Sequence, residues 1–477
     1  MHSDHFNSFF RWWNRQPSRL LEQGTAVPRF VETSIRQPRY VKRCQVAQRY
    51  AKLLRLVNWS TVVEETGRRS FGREPVSVAA YVGAYLIKLD QGLTTMGKLR
   101  RFLVSHPSLV WGLGFPLVCS HEKPHRFDVE ASLPKRRQWS RVLSELEPAL
   151  LQRLLDDTVQ QLQIIIGPPF GDVVSLDTKH IIAWVKENNR KAYIEEGRFD
   201  KVKQPAGDQD CKLGCKRRRN QGTPTKEGKP AGKKVSIGEF YWGYASGIVV
   251  TKVDGWGEFV LAELTQTFDK GDTTYFFPLL EETERRLGFR PTYGTADAAF
   301  DAFYVYDYFD REDGDGFAAV PLNSQGRAKR QFAADGRPLC EAGLAMPLKF
   351  TYLDRTTSII PYRRAKHVCP LLYPEATGEV CPVDHKKWPK GGCSTSLAHS
   401  KGARIRHQLD RDSESYKQIY RQRTAVERLF SQATALGIER PKLRTQRAIA
   451  NQNSLTYVLL NLRALQRVNQ RKATLTK

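Results

Sequence analysis

Three acids in this chain stand where they could share one task. Asp177 closes a short apolar run (DVVSLD, 172–177), Asp297 closes a second (292–297), and Glu427 falls in a helical stretch near the C-terminus. Carboxylates are hard oxygen donors, and a set of them suits divalent cations such as Mg²⁺, with Mn²⁺ able to substitute. Held close without a cation they repel and raise one another's pKa, whereas bound divalent cations keep them ionised. Two such ions about 3.5 to 4 Å apart can activate a water or a 3′-hydroxyl and stabilise the leaving oxygen during in-line attack on a phosphodiester. Each acid taken singly has a plainer reading. A strand-end acid is ordinarily a turn former or a helix N-cap, and Arg423 with Glu427 at i, i+4 is ordinarily a surface pair.

Bringing these acids together requires a sheet. From Asp172 the pattern predicts strand (172–177), strand (240–245), strand (248–253), helix (273–287), strand (292–297), helix (300–309) and strand (316–320). Crossover helices imply some parallel pairing, so this half is α/β in class, and ligands of open α/β sheets bind outside the carboxyl ends of strands. Helix returns over 413–435 and 446–470. On the first of these, Tyr420, Arg423 and Glu427 at i, i+3 and i+7 are expected on one face, beside an apolar stripe of Val426, Leu429, Phe430 and Ala433.

The remaining chain sorts by texture. Residues 1–45 read as a basic leader. Residues 46–168 repeat apolar side chains at three- and four-residue spacing, as in Leu143, Leu146, Leu150, Leu151, Leu154 and Leu155, and predict an all-helical N-terminal domain that ends at Gly167-Pro168-Pro169. Residues 186–235 are polar and read as a long loop. Residues 325–409, rich in Pro, Gly, Cys and His, read as an insertion subdomain that divides a catalytic domain of 169–324 and 410–477.

Charge narrows the partner. With 76 Lys and Arg against 50 Asp and Glu, the chain carries +26. Residues 212–234 hold nine basic side chains against one acid, and residues 401–477 hold seventeen against five. Separate basic regions suit the backbone of duplex DNA, where neutralised phosphates release counterions. A basic RNA-associated protein would account for the charge but leave the three acids without a purpose. The apolar stretches fall short of the roughly 20 residues of a membrane span. Arg11 and Arg15 interrupt Phe9, Phe10, Trp12 and Trp13 before a signal core can form. The expectation is a cytoplasmic, nucleoid-associated protein.

Two weaker signals lie in the 325–409 region. Cys340, Cys369, Cys381 and Cys393 could hold a structural Zn²⁺ or stand as unligated thiols; no Cys-x2-Cys knuckle decides between them. Cys211 and Cys215, in the basic loop, are equally ambiguous. Trp388, among Lys386, Lys387 and Lys390, is expected to be exposed and able to stack on an unpaired base.

Three segments carry a resemblance. Ser175-Leu176-Asp177-Thr178-Lys179, Gly294-Thr295-Ala296-Asp297-Ala298-Ala299-Phe300-Asp301, and Tyr420-x2-Arg423-x3-Glu427-Arg428-Leu429-Phe430 resemble the signature regions of bacterial insertion-sequence transposases with an Asp-Asp-Glu triad. The third is similar to the Tyr-Arg-Glu-Lys signature of one large branch. The likeness spans roughly 172–435, and Gly72-Arg73-Glu74-Pro75 in the helical region is similar to an N-terminal domain these enzymes often carry. The signature's Lys falls on Thr434, leaving Lys442 or Arg440 to take its phosphate contact. The resemblance implies a ribonuclease H-like core with Asp177 bridging two Mg²⁺ ions and Asp297 and Glu427 holding one each. Lys179, Tyr420, Arg423, Arg428, Lys442 and Trp388 would then contact DNA. The substrates implied are inverted-repeat transposon ends and target DNA, held by a dimer. The alternatives are an inactive or repurposed DNA-binding protein, and a related nuclease without strand transfer.

Overall fold

The structure, a computed structural model, describes residues 22–25, 27–66, 75–189, 197–219, 236–310, 314, 316–323, 330–356 and 359–475. Most of the basic leader, residues 72–74 of the Gly-Arg-Glu-Pro motif, and much of the polar 186–235 stretch lie outside the described residues. The chain divides into two compact units, one of residues 1–158 with 447–477 and one of residues 159–446.

The second unit is built on a mixed sheet. Its strands are β1 (Val173–Ile182), β2 (Lys212–Arg219), β3 (Ser236–Val253), β4 (Gly257–Thr267), β5 (Tyr293–Thr295) and β6 (Phe317–Ala319). The order runs β6-β5-β1-β3, with β3 pairing β2 along its first half and β4 along its second. β1, β3 and β4 are antiparallel neighbours, whereas β5 and β6 run parallel to β1. Parallel neighbours require crossovers, supplied by helices α1 (Phe276–Leu287) and α2 (Phe303–Phe309). Gly288, at φ +76°, caps α1 in the left-handed conformation that favours glycine.

The pleat of β1 decides which side chains meet which helices, because successive residues point to opposite faces. Val174 and Leu176 enter an apolar layer with Phe276, Leu280, Val305 and Phe309 of α1 and α2. Both are at most 4% exposed, so each contributes about 1.5–3 kcal/mol by burial. Val173 points the other way, against a cluster of Tyr416, Ile419 and Ala319. Ser175 follows it and donates a hydrogen bond to the Gln422 carbonyl at 3.0 Å. Asp177, two residues on, shares that face.

The long polar and Cys-rich stretches hold more order than their texture predicts. The 212–219 segment, read as loop, is a strand paired with β3. After β6 come β7 (Leu348–Leu353), β8 (Arg363–Val368) and β9 (Ser394–Ala398), an antiparallel three-stranded sheet, followed by helices α3 (Gly402–Gln408), α4 (Glu414–Arg421) and α5 (Thr424–Ala435). The buried carboxylate of Asp301 receives both Arg406 nitrogens, at 2.6 and 2.8 Å, and ties α3 to the loop before α2.

Two further expectations need correction. The runs 240–245 and 248–253 are one strand, not two joined at Ser246-Gly247. Gly247 is there for close packing, since a Cβ on it would lie 2.4 Å from the Tyr275 ring. The real turn is Asp254 to Gly257, where Gly255 and Gly257 take φ of +81° and +119°, and the strand after it, β4, was not anticipated. The division into units also differs from the expected one, because the C-terminal helix from Arg447 groups with the N-terminal helices rather than with the sheet.

Among its described residues the first unit is helical apart from short strand pairs at 22–25 with 63–66 and at 118–119 with 127–128. Its core gathers Tyr50, Tyr81, Tyr85, Phe115 and Trp139, with the Tyr85 hydroxyl donating to the Trp139 carbonyl at 2.6 Å. Buried Asp90 receives Arg49 and Arg463, each ion pair at 2.6–2.7 Å. The C-terminal helix buries Asn451, whose amide donates to the carbonyls of Leu143 and Leu146. No helix among the described residues is long and apolar enough to cross a membrane.

Candidate active site

Asp177 lies midway along β1, opposite Ile248 of β3. Asp297 follows the parallel neighbour β5 and caps a short 3₁₀ turn, accepting the Ala299 N–H at 2.9 Å. The helix-cap reading of Asp297 is therefore correct, and it coexists with a second role. β1 does not end at Asp177 as expected but runs on to Ile182; the parallel register sets Ser175 beside Thr295, so Asp177 and Asp297 each stand two residues past that pair, and the Asp297 charge raises the Asp177 pKa. Burial is the larger cause and pushes Asp177 up to about 7, against a Thr178 N–H bond and Arg423 that pull it down. Asp297 is likewise raised, first by burial and then by Asp272.

Asp272 is the residue that sequence reasoning missed. It opens the 3₁₀ turn before α1 and accepts the Thr178 hydroxyl at 2.6 Å, which seats it beside the two predicted aspartates. Thr178 reaches it because the pleat turns Thr178 to the opposite face from Asp177. Nothing in the spacing of Asp269 and Asp272 along the chain marks one of them, since the turn geometry alone selects it.

Glu427 enters through Arg423. Gln422, Arg423, Ala425 and Val426 make i→i+3 backbone bonds, so the expected single helix is two, α4 and α5, joined by a tight turn. Tyr420, Arg423 and Glu427 stay together across that turn, through Arg423. The Ser175–Gln422 bond fixes that turn to β1 two residues before Asp177. Arg423 Nη2 donates to Glu427 Oε1 at 2.7 Å, its Nη1 lies 3.8 Å from Asp177 Oδ2, and its guanidinium rests 5.8 Å from the Tyr420 ring centre. Tyr420 in turn stacks on Tyr416. The i, i+4 pair is present, as the plainer reading expects, and the same guanidinium also reaches the site.

The other basic candidates are placed as follows. Lys179 pairs with Glu439 at 3.0 Å, and Arg428 pairs with Glu258 of β4 while also donating to the Thr424 hydroxyl. Lys442 and Arg440 are exposed, whereas the Thr434 hydroxyl is buried with no partner. Trp388, expected to be exposed, is half-buried in a short 3₁₀ turn. Among the cysteines, Cys393 contacts Cys369 and Cys340, and burial with those neighbours pushes its thiol up to about 12. Cys211 is buried, and its thiol is raised by burial and by Asp208 to about 12, while Cys215 is exposed. Among the described residues no three carboxylates, thiols or imidazoles already stand in the arrangement of a bound ion.

The site thus presents crowded carboxylates, and among the described residues the Arg423 guanidinium reaches two of them. Desolvated oxygens that repel one another fit a divalent cation better than they fit protein alone. The family comparison agrees with this chemistry: residues 221–462, just over half of the chain, match the family described as Transposase DDE domain. The chain belongs to that family. The match includes Asp297 and Glu427 and begins downstream of Asp177. A cryo-EM structure of a piggyBac transposase synaptic complex with hairpin DNA is similar at 11% identity and a TM-score of 0.32, covering 94% of this chain and 81% of that one. No curated protein matches the chain.

Proposed function

We propose that the protein is a DNA transposase that binds inverted-repeat ends, cleaves them, and joins them to target DNA. The observation that carries this reading is the juxtaposition of Asp177 on β1, Asp297 just past β5, and the Arg423–Glu427 pair, in a chain of the transposase DDE domain family. The strand order β4-β3-β1-β5-β6, three antiparallel then two parallel, supports a ribonuclease H-like core.

In this reading Asp177, Asp297 and Glu427 hold two Mg²⁺ ions. Bound there, the ions supply activation of the attacking oxygen and stabilisation of the leaving one. The chain's own residues do the rest. The Thr178 and Ala299 N–H groups keep the Asp177 and Asp297 carboxylates in place. Arg423, seated against Tyr420, neutralises phosphate charge beside the scissile bond, and Arg440 and Lys442 track the backbone beyond it. The helical N-terminal region reads the ends as part of a dimer, with the 348–398 sheet as an insertion in the core. The contact of the Cys393 thiol with Cys369 and Cys340 supports the proposal that Cys340, Cys369, Cys381 and Cys393 hold a structural Zn²⁺. One zinc per chain in protein prepared without chelators, lost in Cys393→Ser, is the expected result.

The test of the main reading is DNA carrying the gene's own flanks, incubated with protein in Mg²⁺ or EDTA. Nicks at both flanks in Mg²⁺ alone, with binding retained in EDTA, are expected. Binding without nicks under either condition would make the protein a DNA-binding protein only.

A further inference from the structure

A second cavity, of about 450 Å³, opens among the loop after β6, the β8–β9 sheet and α3. That volume lies in the range of small-ligand sites. Asn323 and Leu322 on its wall follow β6, and Asp301 lies four residues after Asp297, so the cavity shares the sheet edge of the acids.

Its polar lining offers donors. Arg330, Arg364, Arg406 and His407 all face it. Two of the arginines are partly answered, Arg406 by Asp301 and Arg364 by Asp354 at 3.3 Å. Arg330 pairs with no carboxylate among the described residues; its partner is the Thr395 hydroxyl. Burial and the neighbouring Arg406 both work against its charge. Three guanidinium groups, of Arg330, Arg364 and Arg406, thus line one polar cavity with two carboxylates paired to them. The matching ligand is an acceptor-only anion with several oxygens.

We propose that this cavity binds a phosphate group of the DNA strand being processed, held by Arg330 with Arg364 and Arg406. The assignment rests on the transposase reading and adds a phosphate contact outside the Tyr-Arg-Glu region. A strand leaving the acids along the same edge carries such a phosphate at every nucleotide, whereas a free phosphate or nucleotide would fill the cavity without DNA.

The test is the salt dependence of duplex binding in EDTA, on flank DNA and on a random duplex. Each phosphate contact contributes about 0.9 to the slope of log K against log salt. Arg330→Gln is expected to lower that slope by about one and weaken both duplexes about tenfold, with Arg330→Lys recovering most of the slope. Ser396→Glu, which puts a carboxylate on the cavity wall, should weaken binding similarly while melting as the wild type does. An unchanged slope in Arg330→Gln and Ser396→Glu, with wild-type binding intact, overturns the cavity assignment and leaves the transposase reading standing. Wild-type protein that binds neither duplex overturns both. Stabilisation of the wild type, but not Arg330→Gln, by inorganic pyrophosphate with no change in DNA slope would assign the cavity to a free anion and overturn the DNA proposal.

Discussion

Arg423 Nη2 lies 2.7 Å from Glu427 Oε1, and the same guanidinium extends its Nη1 to within 3.8 Å of Asp177. One planar cation therefore links the acid of the α5 helix to the acid of the central strand. A lysine carries one ammonium and cannot span both contacts in this way.

Removing that cation has a definite sign. Arg423 lowers the pKa of both Asp177 and Asp297. In Arg423→Gln both carboxyls titrate higher, so the acid limb of the cleavage pH profile should move to higher pH. The rate should fall at least about tenfold through the lost phosphate contact. Rates measured from pH 6 to 9 check this, and an unmoved acid limb would show that the guanidinium does not act on the aspartates.

Asp177 makes stability depend on pH when divalent cations are absent. In the unfolded chain it ionises near 3.9, whereas burial in the fold raises it to about 7. Between those values the native state binds the extra proton, so stability falls as pH rises from about 4 to about 7 and is level above. Asp177→Asn removes that loss. Urea unfolding in EDTA should find the variant more stable than wild type by on the order of 1–3 kcal/mol at pH 8, with the difference gone at pH 4. A variant less stable at pH 8 would mean that the carboxylate is stabilised by its surroundings.

Gly247 tests how the strand seats the site. Ala at this position would drive a Cβ into the Tyr275 ring, whose hydroxyl bonds the Ala245 carbonyl at 2.9 Å, and Tyr275 ends the turn that carries Asp272. Gly247→Ala should cost about 1–3 kcal/mol of stability and, at a temperature where the variant is folded, reduce cleavage. Full cleavage alongside lost stability would separate the Asp272 turn from the chemistry.

The alternation of apolar and polar residues made Asp177 and Asp297 legible, because each ends or interrupts a run whose period already marked a strand. The α/β class followed from the same pattern. What remained hidden depended on contacts between distant segments. Ser246-Gly247 has the composition of a turn, yet the glycine answers to Tyr275 across the sheet. Asp272 is chosen by a hydroxyl 94 positions away. Helical spacing put Tyr420, Arg423 and Glu427 together, but not the turn between the two helices, which a bond from Ser175 holds. The C-terminal helix carries a polar run, Asn451 to Ser454, that is buried; the Asn451 amide donates to carbonyls of Leu143 and Leu146, and Gln452 Oε1 accepts from Lys88.

The central claim is that Asp177, Asp297 and Glu427 act together as one metal-dependent site. The most direct measurement compares wild type with Asp177→Asn, Asp297→Asn and Glu427→Gln, each an isosteric exchange, in Mg²⁺-dependent cleavage of flank DNA. Each variant should bind that DNA as the wild type does and lose cleavage by at least about a hundredfold. Cleavage at the wild-type rate by any one of the three would contradict the assignment.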